Sequence, residues 1–264
     1  VFRNRGETPR VGDCGEYTKE EGSDGVIKKI YPRMNDLIRP PIANVDQALL
    51  VFSVKEPDFN VNLLNRFLVV LESHNIQPIL CFTKMDLLSE EERAEIESYM
   101  KDYKEIGYEV IDTFINDSTL LEKLRPLIKG KTTVLAGQSG VGKSTILNTL
   151  IPELNLKTGE ISQSLGRGKH TTRHVELIEV AGGLVADTPG FSSFDFDHLE
   201  KEDLSSCFPE FVRKSDDCKF RGCLHLKEPQ CSVKEGVASG EIRDYRYEDY
   251  LQFLQEIIDR KPRY

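Results

Sequence analysis

The stretch GQSGVGKST, from Gly137 to Thr145, constrains the fold more than any other part of the chain. Four residues separate Gly137 from Gly142, and Lys143 and Ser144 follow at once. An apolar run at 132–136 precedes the stretch, and a helical pattern at 145–150 follows it. Strand, glycine loop and helix in that order are the setting of a phosphate-binding loop. The glycines let successive backbone N–H groups turn inward around a phosphate, and the helix N-terminus adds partial positive charge. Gly137, Ser139, Gly140, Val141, Gly142 and Thr145 form the cradle. Lys143 bridges the outer phosphate oxygens, and the Ser144 hydroxyl is placed to ligate Mg²⁺.

The rest of the middle of the chain agrees with that setting. Apolar runs bounded by turn signals occur at 48–54, 78–82, 110–115, 132–135, 175–180 and 184–186. Leu63, Leu64, Phe67, Leu68 and Leu71 repeat at helical spacing. Ser89 with Glu92 forms a capping box for a charged helix running through Tyr103. Alternating strands and helices predict an α/β domain on a mostly parallel sheet.

The flanks differ. Residues 1–38 are rich in Gly, Pro and charge, with short apolar alternations around 11–17 and 26–31. They predict a small β module, the plainer alternative being an N-terminal arm. RPPIANVD at 39–46 reads as a linker, because paired prolines disfavour helix and sheet interior. After about residue 195 come acidic residues, clustered cysteines and a closing amphipathic helix with Tyr247, Tyr250, Leu251, Leu254 and Ile258 on one face. The expected division is therefore 1–38, 39–194 and 195–264. The first residue is Val1, so the start is expected to be trimmed.

A length of 264 residues suits one large domain or two to three small ones. The net charge of −9 argues against indiscriminate coating of nucleic acid, although a local basic face remains compatible with it. No apolar run approaches membrane-spanning length, so no membrane partner is expected. Six cysteines, three of them in one short window, indicate metal chemistry in a reducing compartment, hence the cytoplasm.

Two further motifs follow the phosphate loop. Asp187-Thr188-Pro189-Gly190 ends an apolar strand. Asp187 at a strand end can hold Mg²⁺ through water, and the Gly190 N–H can register a terminal phosphate. Before it lies GRGKHTTRH at 166–174, a polar loop of the kind that orders around a triphosphate and collapses on its loss. Thr171 or Thr172 would complete the Mg²⁺ shell, with Thr172 preferred. A solvated basic turn is the plainer reading.

The sequence Thr83-Lys84-Met85-Asp86 follows the apolar run at 78–82. Guanine shows N1–H and N2–H₂ donors on one edge, and a single carboxylate, that of Asp86, accepts both. Lys84 can lie along the base, and the Thr83 hydroxyl can serve loop hydrogen bonds. A base reader encoded before its phosphate loop is a cyclic permutation of the usual GTPase order.

Cys218, Cys223, His225 and Cys231 fall within fourteen residues, with spacing C-x4-C-x-H-x5-C. That donor set suits a closed, structural Zn²⁺ site. Lys219, Arg221, Lys227 and Lys234 surround it as a candidate RNA-contacting surface.

Taken in order, TKMD, GQSGVGKST, GRGKHTTRH, DTPGF and the cysteine cluster resemble the ribosome small-subunit-dependent GTPase A family, circularly permuted GTPases that help mature the bacterial small ribosomal subunit. The resemblance covers essentially the whole chain. It implies an N-terminal OB-fold barrel, here truncated, then a permuted P-loop GTPase domain, then a small α-rich zinc domain. It further implies GTP/GDP, Mg²⁺ and Zn²⁺ as ligands and the small subunit with its rRNA as partner; a monomer is expected. The further guanine-contacting loop has no clear version at 111–118, where Thr113 is the nearest candidate. Phe191 stands where many GTPases carry a water-orienting Gln. His170, beside the threonines, is the candidate to position water instead, with slow unaided turnover accelerated by a partner that orders its loop. The rival readings are a P-loop kinase and a nucleotide-gated rRNA-binding module whose hydrolysis is incidental.

Overall fold

The computed structural model describes residues 8–19, 25–38, 40–114, 117–152, 175–187 and 195–260. The chain forms two compact units: residues 1–51 with 116–193, and 52–115 with 194–264.

In the first unit β1 (Gly15–Thr18) pairs antiparallel with β2 (Val26–Ile30), and β3 (Asp36–Leu37) pairs antiparallel with β4 (Ile42–Ala43). A parallel bridge joins Val11 to Ile42. Part of the expected linker at 39–46 is instead interior: Ile42, Ala43 and Val45 have no solvent exposure, while Pro41 is exposed. The prolines end just before β4, so the apolar residues behind them are free to pair and bury.

The main sheet of this unit runs β5 (Gln47–Ser53), β8 (Thr132–Ala136), β10 (Gly183–Asp187), β9 (Glu176–Val180). β5 pairs parallel with β8, placing Gln47 opposite Thr133 and Leu50 opposite Ala136, and β10 pairs parallel with β8. Only β9 is antiparallel, because the tight Ala181-Gly182 turn returns it directly to β10. Helices α3 (Leu120–Ile128) and α4 (Lys143–Leu150) belong to this unit. Leu120, Leu124, Ile128, Ile146 and Leu147 are buried. Each such side chain contributes roughly 1.5–3 kcal/mol.

The second unit contains α1 (Val61–Ser73), β6 (Gln77–Thr83), α2 (Glu90–Ile106) and β7 (Glu109–Asp112). β6 pairs parallel with β7. Asn60 caps α1 by accepting from Leu63 N. Ser89 and Glu92 form the expected capping box of α2, and Gly107 ends that helix in the left-handed region. The unit closes with α5 (Pro209–Ser215), α6 (Ser232–Ser239) and α7 (Asp244–Asp259).

The buried face of α7 is not the expected one. Arg246, Asp249, Tyr250, Phe253, Leu254 and Ile257 are buried, whereas Ile258 is 46% exposed. The stripe is rotated because two charged residues point inward, where they have partners. Arg246 pairs with Glu210, and Asp249 accepts from Asn65 and Asn62. No helix among the described residues is long and apolar enough to cross a membrane.

Candidate nucleotide and metal sites

The phosphate-loop candidate leaves the end of β8. Gly137 has φ +133°, and a Cβ there would lie 2.2 Å from the Val51 carbonyl oxygen, so the strand exit tolerates no side chain. Gly142, at φ 100°, caps α4, which begins at Lys143, two residues earlier than the sequence pattern predicts. Gly140 is also at positive φ. Ser139, Gly140 and Thr145 are exposed, while Val141 and Ser144 are buried. The Lys143 ammonium donates to the carbonyls of Gly137, at 2.7 Å, and of Gln138. It is thus folded back over the loop it belongs to, where a phosphate oxygen could replace those carbonyls.

Asp187 is the last residue of β10. The side chain of Asp187, and Gly190, His170, Thr171, Thr172 and Phe191 altogether, lie outside the described residues.

The TKMD loop leaves the end of β6. Thr83 is 4% exposed, and its Oγ1 donates to the Phe52 carbonyl at 3.3 Å. Lys84 adopts φ +61°, a left-handed conformation unusual for a long side chain, and its ammonium donates to the Glu56 carbonyl. A short 3-10 turn, Met85–Leu87, follows; Met85 is buried and Asp86 exposed. Thr113, the nearest candidate for the further guanine-contacting loop, lies against this one. Its N–H donates to Phe82 O at 2.8 Å, and its carbonyl accepts from Met85 N at 3.3 Å. That neighbourhood follows from the parallel pairing of β6 and β7.

The metal-site candidate is the most complete constellation. The donor atoms of Cys218, Cys223, His225 and Cys231 all lie within 4.8 Å of one another. Cys218 Sγ is 3.9 Å from Cys231 Sγ and 3.8 Å from His225 Nδ1, and His225 Nδ1 is 3.3 Å from Cys231 Sγ. A tetrahedron with Zn–S near 2.3 Å has sulfur–sulfur edges of about 3.8 Å and slightly shorter sulfur–nitrogen edges. The sulfurs are too far apart for a disulfide. The four residues therefore fit Zn²⁺. Burial pushes the Cys223 thiol up to about 12, raises Cys231, and holds His225 below its ordinary value.

The frame around these ligands was not readable from ligand spacing. Glu228 accepts from the N–H groups of Leu224 and Leu226 at 2.9 and 2.8 Å. Tyr247 and Tyr250 of α7 donate to the carbonyls of His225 and Leu224 at 2.6 and 2.8 Å. Ligand geometry is thus set by a carboxylate clamp and two phenols on a packed helix. The tyrosines entered the sequence reading only as apolar positions.

The model of the RsgA GTPase family matches residues 30–197. The small ribosomal subunit biogenesis GTPase RsgA of Bacillus cereus is 58% identical over 264 residues, all of this chain and 90% of that protein. The Bacillus subtilis protein of the same name is 56% identical, over all of this chain and 89% of its own length. Among solved structures, YloQ, described as a circularly permuted GTPase, is 49% identical with a TM-score of 0.85 over 100% of this chain and 88% of that one. YjeQ from Thermotoga maritima is 35% identical with a TM-score of 0.87 over 98% of this chain and 90% of that one. With TKMD encoded ahead of GQSGVGKST, this chain belongs to the RsgA GTPase family.

Proposed function

We propose that the protein hydrolyses GTP to GDP and phosphate in the course of small ribosomal subunit maturation, and that the subunit, through its rRNA, stimulates turnover. The observation that carries this reading is the combination of the permuted motif order with 58% identity, over the full chain, to a protein named for small-subunit biogenesis.

In this reading Asp86 accepts the guanine N1–H and N2–H₂, with Lys84 along the base and Thr83 bracing the loop. Gly137, Ser139, Gly140, Val141, Gly142, Lys143, Ser144 and Thr145 hold the phosphates. Ser144 and Thr172 would hold Mg²⁺, and Asp187 would support it through water. When bound, Mg²⁺ neutralises charge developing on the phosphate oxygens. Gly190 meets the terminal phosphate. With Phe191 unable to hydrogen-bond, His170 orients the attacking water. Lys143 exchanges its carbonyl partners for phosphate oxygens, which costs little because both environments satisfy the ammonium.

The reading divides the chain by role into an OB-like β module at 1–38, the GTPase segment at 39–194 and the zinc segment at 195–264. The protein acts as a monomer in the cytoplasm. Zn²⁺ is structural, and Lys219, Arg221, Lys227 and Lys234 face rRNA. The GTP form engages the subunit and the GDP form releases it.

The test is GTP hydrolysis with and without purified small subunits, with ATP as competitor. Slow turnover alone, acceleration by subunits and loss of that acceleration in His170→Ala are expected. Equal displacement by ATP, or equal subunit affinity of the GTP-analogue and GDP complexes, would refute the scheme.

A further inference from the structure

We propose that Arg93, on the first turn of α2, is a positioning residue for guanine selection: it holds the backbone from which Asp86 projects. This rests on the reading of Asp86 as the base reader.

The TKMD loop carries a conformation that its own sequence does not favour. Lys84 sits at φ +61° where a glycine or asparagine would be at ease. Left-handed backbone at a long side chain costs of order 1–3 kcal/mol and persists only where surrounding contacts over-determine it. Those contacts converge on the next residue, Met85, immediately before Asp86. The Met85 N–H donates to Thr113 O at 3.3 Å, and the Met85 carbonyl accepts from Arg93 Nη2 at 2.6 Å. Both backbone hydrogen-bonding groups of that residue are therefore pinned from outside the loop. The Arg93 bond is the shorter of the two and is charge-assisted.

Arg93 is itself firmly based. Its N–H donates to Ser89 O at 2.9 Å. The preceding residue, Glu92, closes the capping box with Ser89, and its carboxylate takes the Lys55 ammonium at 2.8 and 3.1 Å. The guanidinium is thus presented from a helix end that is capped and tied to the segment after β5. An edge-reading carboxylate discriminates only if its position is fixed to a fraction of an ångström, so the tie acts on base selection and not on phosphate binding.

The test is calorimetric binding of GTP, ATP and inorganic tripolyphosphate to the full chain, with steady-state GTP hydrolysis alongside, for the parent, R93A, R93K and D86A. In R93A, GTP affinity falls about tenfold, the worth of one charge-assisted hydrogen bond, while ATP and tripolyphosphate bind as in the parent. KM for GTP rises with kcat unchanged, and R93K restores part of the loss. An unchanged ratio of GTP to ATP affinity in R93A, or equal loss of all three ligands in both R93A and R93K, overturns the proposal. D86A separates the two levels. If D86A abolishes the GTP preference and R93A does not, Arg93 alone is misassigned. If D86A leaves the preference intact, the reading of Asp86 falls as well.

Discussion

Arg246 donates from Nε to Oε1 of Glu210 at 2.6 Å, with Arg246 wholly buried and Glu210 4% exposed. Asn65 accepts from the same guanidinium at 2.7 Å and from the Tyr103 hydroxyl at 2.6 Å, and the Phe208 ring centroid lies 4.6 Å from it. One arginine therefore joins α1, α5 and α7, while the tyrosines of the same α7 hold the loop that carries the candidate metal ligands. Removing one partner leaves a buried charge. E210A is expected to lose about 3–5 kcal/mol of unfolding free energy in urea, and E210L/R246M to recover most of it. A loss under 1 kcal/mol in E210A, on the order of a surface pair, would contradict this.

Tyr108 presents the opposite case. Its buried hydroxyl makes no well-aligned hydrogen bond to a described residue, and the group it interacts with beside it is the Glu72 carboxylate. It borders a cavity of about 350 Å³ lined also by Glu72, Asn75, Gln77 and Pro209. Burial pushes the Tyr108 hydroxyl well above its ordinary pKa and also raises Glu72. Because at most one poorly aligned contact to Glu72 is lost, Y108F is expected to change stability by less than about 1 kcal/mol. A clear fall in melting temperature would show that the hydroxyl has a partner in solution.

The cysteine cluster predicts one Zn²⁺ per chain by elemental analysis. Because burial raises the Cys223 and Cys231 thiols, metal uptake should release protons, measurable by calorimetry in buffers of different ionisation enthalpy. C223S should lose the metal and melt earlier. Retention of full stability by metal-free protein would contradict a structural role.

Acid sensitivity should appear in the N-terminal segment. Asp13 accepts from Arg33 Nε and Nη2 at 2.6 and 2.8 Å and from Arg10 N at 2.7 Å. The Arg33 bonds hold its carboxyl below the ordinary value, against the opposing effect of burial. A folded pKa below the unfolded value of about 3.9 gives stability that is complete above that pH and lost as pH falls through the folded value. D13N should be less stable at neutral pH and lose less than the parent on acidification below about pH 4.

Much of the fold was readable because period and punctuation agree. Every apolar run in the middle of the chain became a strand within a few residues, and Ser89 with Glu92 marked the start of α2. The glycine loop and the four metal donors are local in sequence, so spacing alone could reveal them. What escaped depended on partners distant in the chain. Arg246 and Asp249 lie outside the apolar stripe read for α7, since their partners Glu210 and Asn65 are invisible to a periodicity argument. Residues 42–45 looked like linker because the prolines masked a short strand whose partners are Asp36 and Leu37. Arg93 carries no signal in the sequence, its target being a carbonyl eight positions earlier.

Base selection by an upstream carboxylate is the central claim. Xanthine shows an acceptor where guanine shows its N2–H₂ donor, so an amide in place of the Asp86 carboxylate should favour it. Measured by equilibrium binding, D86N is predicted to lose GTP affinity at least about tenfold and to gain XTP affinity, while K143A loses both nucleotides. GTP binding to D86N at the parent's affinity, with no gain for XTP, would contradict the account.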